Sequence, residues 1–170
     1  MKRRASAKVA MIDVSGKPDT ARTAVASGFV SMSPAALRMV RAASLPKGDV
    51  LAVARVAGIV AAKRTPEWLP LCHPLVLSHV SVDLEPRGRP AGVAIRSTVR
   101  CVGPTGVEME ALTAVAAAAL TIYDMVKSVD RGMVIGPIRL ESKEGGRSGA
   151  WRRPTPDRRG RRAVRPRRGG

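Results

Sequence analysis

Two groups of ionisable residues bracket an apolar run in the second half of this 170-residue chain. Glu108 and Glu110 flank Met109 at one end. Asp124 and Lys127 stand at the other, beyond a stretch from Ala111 to Tyr123 in which only Thr113, Thr121 and Tyr123 are polar. Leu71-Cys72-His73-Pro74 lies upstream. Charged groups set against buried core cost free energy unless they are paired or used. The residue types are those of acid–base chemistry, and their placement points to an enzyme.

Spacing sharpens this reading. On one helix, Glu110 and Asp124 lie about 21 Å apart along the axis and within roughly 40° of each other around it. Asp124 and Lys127 are neighbours on the helix surface. Two clusters so far apart suit either a long substrate or a site assembled from two chains, one end of the helix coming from each. The span exceeds most small metabolites and favours the second. Each residue also has a plainer role. Glu108 and Glu110 complement the positive end of a helix, Asp124 and Lys127 form an ion pair, His73 bonds backbone, and Cys72 fills space. Only their joint pattern carries function.

The elements that must hold these residues can be read from pattern. Asp13-Val14-Ser15-Gly16-Lys17-Pro18-Asp19-Thr20 is rich in turn formers and reads as a loop. Residues 24–32 read as a strand. Ser33-Pro34 supplies an N-cap and a first-turn proline for a helix of about ten residues. Lys47-Gly48-Asp49 breaks the chain, and Asp49 caps a helix over 50–63. Residues 65–70 read as a short helical turn or loop. Strands over 76–84 and 92–102 flank a polar turn at 85–90 and pair as an antiparallel hairpin. A long helix over 108–129 and a strand over 133–141 complete an α+β domain with helices on an antiparallel sheet. The long helix, apolar all round, is expected to be buried all round, with a subunit contact covering one side.

Composition bounds the rest. The net charge is +17, of which residues 151–170 contribute +8 and residues 1–10 contribute +4, leaving a mildly basic body. Three regions follow: a flexible basic arm at 1–10, one domain at 11–149, and a disordered Arg-rich tail at 150–170. The tail motivates an alternative function, nucleic-acid binding, although the body lacks interleaved aromatic and basic residues. Phe29, Trp68, Tyr123 and Trp151 are the only aromatics, so the core rests on small aliphatic side chains and gains from sharing it within an oligomer. Cys72 and Cys101 form no disulfide framework and suit reduced thiols. No metal-ligand spacing is present. No secretory signal is apparent, and the longest apolar run falls short of the ~20 residues of a membrane span. A cytoplasmic protein is expected.

Four motifs carry a resemblance. Lys47-Gly48-Asp49-Val50, Leu71-Cys72-His73-Pro74-Leu75, Thr105-Gly106-Val107-Glu108-Met109-Glu110-Ala111-Leu112-Thr113 and Ile122-Tyr123-Asp124-Met125-Val126-Lys127 together resemble the cyclic pyranopterin monophosphate synthase family, over residues 11–149. The resemblance implies a ferredoxin-like fold, a hexamer built as a trimer of dimers, and active sites at subunit contacts. It implies rearrangement of 3′,8-cyclo-7,8-dihydroguanosine 5′-triphosphate to cyclic pyranopterin monophosphate and diphosphate, in molybdenum cofactor biosynthesis, with no cofactor. It assigns catalysis to Asp124, Lys127 and Lys47. Leu71, Cys72, His73, Met109 and Glu110 fall in substrate-binding segments, Glu108 and Glu110 suit the N–H groups of a guanine-type base, and Lys17, Arg22 and Arg147 suit the phosphates. Arg147 stands where lysine is common, keeping the charge but not a ready proton.

Overall fold

Thr20–Ser31 (β1) is the strand on which the domain is built. In the computed structural model, which describes residues 9–154, it pairs along its whole length with Ala91–Gly103 (β3), from Thr20 opposite Gly103 to Ser31 opposite Gly92. Leu77–Gly88 (β2) pairs antiparallel with β3. On the other side of β1 lie Val134–Ile135 (β4) and Arg139–Glu144 (β5). Trp151–Arg152 (β6) closes the edge beyond β5. The sheet order β2-β3-β1-β5, with helices between the strands, is the ferredoxin-like split βαβ arrangement.

Period-two alternation sends Ala24, Ala26 and Val30 of β1, and Val93, Ile95, Val99 and Cys101 of β3, to one buried face. The helices cover that face. Pro34–Arg41 (α1) starts at Ser33, whose Oγ accepts from the Ala36 amide at 3.2 Å. Val50–Lys63 (α2) starts at Asp49, whose Oδ1 accepts from Leu51 and Ala52 at 2.9 and 3.0 Å. Thr65–Trp68 (α3) follows. Glu108–Val126 (α4) lies in the core beside α2, packed against β1 and β3 while α2 packs on β2. Close approach replaces bulk here. A Cβ added at Gly58 of α2 would sit 2.8 Å from the Ala114 carbonyl oxygen of α4, and one at Gly28 of β1 would sit 2.6 Å from Val115 Cγ1.

Several expectations need correction. The predicted turn at 85–90 is mostly strand: pairing runs to Gly88 opposite Ala91, leaving only Arg89 and Pro90 at the bend. The predicted strand at 133–141 splits, because Pro137 has no amide to donate and Gly136 instead donates to the Phe29 carbonyl at 2.6 Å. The long helix ends at Val126 rather than 129, where Val129 and Asp130 turn back onto the Val126 carbonyl. It has the length and hydropathy of a membrane span, which the reading of a shorter run missed, yet its buried residues include Ala114, Ala118 and Ile122. This burial comes from its own chain, while Leu120 stays 54% exposed. The expected disorder from residue 150 does not hold for Trp151 and Arg152, which pair with Lys143 and Ser142. Residues 1–8 and 155–170, which carry the rest of the predicted arm and tail, lie outside the described residues.

Candidate functional site

The larger of two adjoining clefts, about 950 Å³, lies where the 13–19 loop, the start of β1, the turn before α4 and the β5–β6 loop converge. Lys17, Arg22, Lys143 and Arg147 bring four cations to its walls against one carboxylate, Glu108. Arg22 is fixed by backbone: Nε donates to the Gly103 carbonyl at 3.2 Å and Nη2 to that of Pro104 at 3.1 Å. The β5–β6 loop can pass over this guanidinium only because two glycines carry it. Gly145 and Gly146 have φ of +97° and +73°, and a Cβ on Gly146 would lie 1.4 Å from Arg22 Nη1. Lys143 Nζ sits 3.2 Å from Glu108 Oε1 and donates to Ser148 Oγ at 3.0 Å. Thr20 Oγ1, buried in the same wall, has no hydrogen-bond partner among the described residues.

The smaller cleft, about 390 Å³, opens off the first and shares Lys17, Thr105, Gly106 and Glu108 with it. Leu71, Cys72, His73, Met109 and Glu110 line it, so the structure brings these sequence-predicted residues together. Glu110 is 3% exposed, in the first turn of α4. Burial pushes its carboxyl above the usual range, its own backbone amide opposes this, and the charge of Glu108 adds to the rise. Burial, then the charge of Glu110, also pushes up the Cys72 thiol, which disfavours a thiolate nucleophile. Cys72 and Cys101 are both free. His73 is engaged with backbone: its Nε2 lies 2.8 Å from the Ile12 carbonyl oxygen. That contact pins the segment whose Ile12 and Val14 form one side of the cleft.

The remaining predicted residues gather at the far end of α4. Lys47 Nζ reaches Asp124 Oδ2 at 2.6 Å and Lys127 Nζ reaches Oδ1 at 2.6 Å, so each carboxylate oxygen holds one lysine. Hydrogen bonds from Lys127 and then Lys47 lower the Asp124 carboxyl to about 2. All three side chains are about half exposed. Lys47 arrives from the α1–α2 loop, where Gly48 takes φ +88° and buried Leu45 anchors the bend. Within one chain this cluster and Glu110 occupy opposite ends of one helix, about 21 Å apart along its axis.

Sequence reading missed Lys143, Ser148 and Thr20. Lys143 stands one position from the charged Arg139–Glu144 strand's end, and nothing in that run of alternating charges distinguishes it from a solvated lysine. Its role emerges only from the register, Ala24 opposite Lys143, which carries it to the cleft.

Fold and site together define a class: a ferredoxin-like α+β domain with a cation-walled cleft opening onto a carboxylate pocket, and a lysine–aspartate cluster at a distance. The MoaC family model matches residues 11–146. The chain is 59% identical over 149 residues to the cyclic pyranopterin monophosphate synthase of Chloroflexus aggregans, covering 88% of this chain and 90% of that protein. It is 62% identical over 144 residues to that of Chloroflexus aurantiacus (85% and 88% covered) and 60% over 145 to that of a Nocardioides species (85% and 89%). This chain belongs to the MoaC family.

Proposed function

We propose that this chain is a cyclic pyranopterin monophosphate synthase, converting the cyclised dihydroguanosine triphosphate to cyclic pyranopterin monophosphate and diphosphate in molybdenum cofactor biosynthesis. The observation that carries the reading is the pair of joined clefts, one with four cations and one with a buried carboxylate. A nucleotide laid across them places its phosphates among Lys17, Arg22, Arg147 and Lys143, and its base against Glu110, Glu108 and the Leu71–His73 segment. A hydroxyl of the substrate attacks the α-phosphorus, the bond to the diphosphate oxygen breaks, and the cations balance the charge gathering on the leaving group. Ring opening and reclosure need protons delivered and removed at the base. Lys127 and Lys47, oriented by Asp124, are the proposed carriers.

The helix length supports a site completed between subunits: the lysines of one chain reach the clefts of another, within a hexamer arranged as a trimer of dimers. An exposed apolar stripe on α2, Val53, Val56 and Val60 at 45%, 59% and 41% exposure, offers a contact surface of the kind an assembly covers. The domain extends over residues 11–149, with the Arg-rich end as an appendage, and the free thiols suit the cytoplasm.

The test is turnover of the cyclised substrate under reducing, anaerobic conditions, read as diphosphate release and pterin product. Complementation adds the subunit arrangement. Lys127→Ala and Glu110→Gln chains, each inactive alone, should regain about a quarter of the sites when unfolded together and reassembled in equal amounts, because random pairing across a shared interface leaves that fraction with both halves intact. No product from the full chain overturns the activity. No recovery on mixing overturns the shared site.

A further inference from the structure

The β5–β6 hairpin carries Arg147 and Ser148 into the phosphate cleft, and the means of holding it there is unassigned. The loop from Gly145 to Ala150 contains three residues at positive φ, Gly145, Gly146 and Gly149, and its residues 147–150 are exposed. Its return is fastened by the segment just after it. Trp151 pairs with Lys143 and Arg152 with Ser142. The Arg153 amide donates to the Glu141 carbonyl at 2.8 Å, and its guanidinium Nε donates to the Leu140 carbonyl at 2.7 Å. The same guanidinium stands 5.8 Å from the Trp151 ring centre, in cation–π range. Arg152 reaches Glu144 at 3.4 Å. These contacts fill the outer edge of β5, opposite the residue, Lys143, that bonds Ser148 and Glu108.

We propose that Trp151–Arg153 is a strap whose function is positional: it closes the Gly145–Ala150 loop so that Arg147 and Ser148 stand in the cleft beside Arg22 and Lys143, and so sets the affinity for the substrate's phosphate chain rather than the rate of the chemical step. The inference rests on the nucleotide-phosphate reading of the cleft. Removing the strap frees a glycine-rich loop, and the cost of ordering Arg147 on each binding event returns as weaker binding. Proton transfer at the base, on residues the strap does not touch, is unaffected.

The experiment compares chains ending at Pro154 and at Ala150, together with full-length Trp151→Ala, Arg153→Ala and Trp151→Phe. Steady-state kinetics and calorimetric binding of inorganic triphosphate are measured on each. The Pro154 chain should match the full chain. The Ala150 chain and Trp151→Ala should raise KM and the triphosphate Kd about tenfold with kcat within about twofold, the pattern of a lost binding interaction, and Trp151→Phe should restore both. In an Arg147→Ala background the same strap variants should add less than about twofold, because they act through the residue already removed. Unchanged KM and Kd, a fall in kcat at constant KM, or an undiminished effect in the Arg147→Ala background overturns the proposal. If the full chain shows no turnover, the function fails while triphosphate binding still decides the strap.

Discussion

At the scale of single residues, Glu110 and Lys127 embody opposite ways of placing a charge. Glu110 is buried, and removal from water raises its pKa above the ordinary carboxylate value of about 4.3. The folded state therefore binds this proton more tightly than the unfolded chain does. The stabilisation is present below the ordinary range and is lost as pH rises through the elevated value. Glu110→Gln removes the titration, so its melting temperature should exceed the parent's at pH 7 and converge with it near pH 4. Scanning calorimetry across that interval checks this, and a difference independent of pH contradicts it. Lys127 is half exposed and paired with Asp124 at 2.6 Å; exposed pairs contribute little to folding. Lys127→Ala should thus fold normally while kcat drops by about 10²- to 10⁴-fold, the usual share of a positioned acid or base. A kcat within threefold of the parent removes Lys127 from catalysis.

At the scale of elements, small residues do the work of aromatic ones. Gly58 lets α2 and α4 touch backbone to backbone. In an open helix Gly→Ala gains about 1 kcal/mol. Here the new methyl meets a carbonyl oxygen that no rotamer change can move, so overpacking wins and Gly58→Ala should lose about 1–3 kcal/mol, measured by urea unfolding. These elements show what the sequence makes legible and what it conceals. Ser33-Pro34 and Asp49 announce the starts of α1 and α2 because capping is local chemistry, and the helix over 50–63 is found where it is read. The split at Gly136-Pro137 and the persistence of β2 to Gly88 depend on partners distant in sequence, which no local pattern displays. The same holds for the site. Motifs name Glu110, Asp124 and Lys47, whereas Lys143, Ser148 and Thr20 join it only through strand register and a loop that crosses over Arg22.

At the scale of the whole molecule, two features call for company. The stripe of Val53, Val56 and Val60 lies on one face of α2, three and seven residues apart, turned to solvent. Lys47 and Lys127, the proposed proton carriers, sit at the other end of α4 from the clefts they are proposed to serve. A charge placed in the stripe has no partner when buried and opposes association. Val56→Glu should therefore lower the mass measured by light scattering and abolish turnover together, while far-ultraviolet circular dichroism stays unchanged. Full activity in a monomeric Val56→Glu protein contradicts the shared site.

The scarcity of rings described above gives the chain an optical simplicity. Its only indoles are Trp68, half exposed on α3, and Trp151 on the hairpin beside the cation-walled cleft. Replacing Trp68 by phenylalanine leaves one indole, seated on the proposed strap and excited selectively over Tyr123 at the red edge of its absorption. The light from that single ring becomes a native gauge of whether the loop beside it is fastened or adrift.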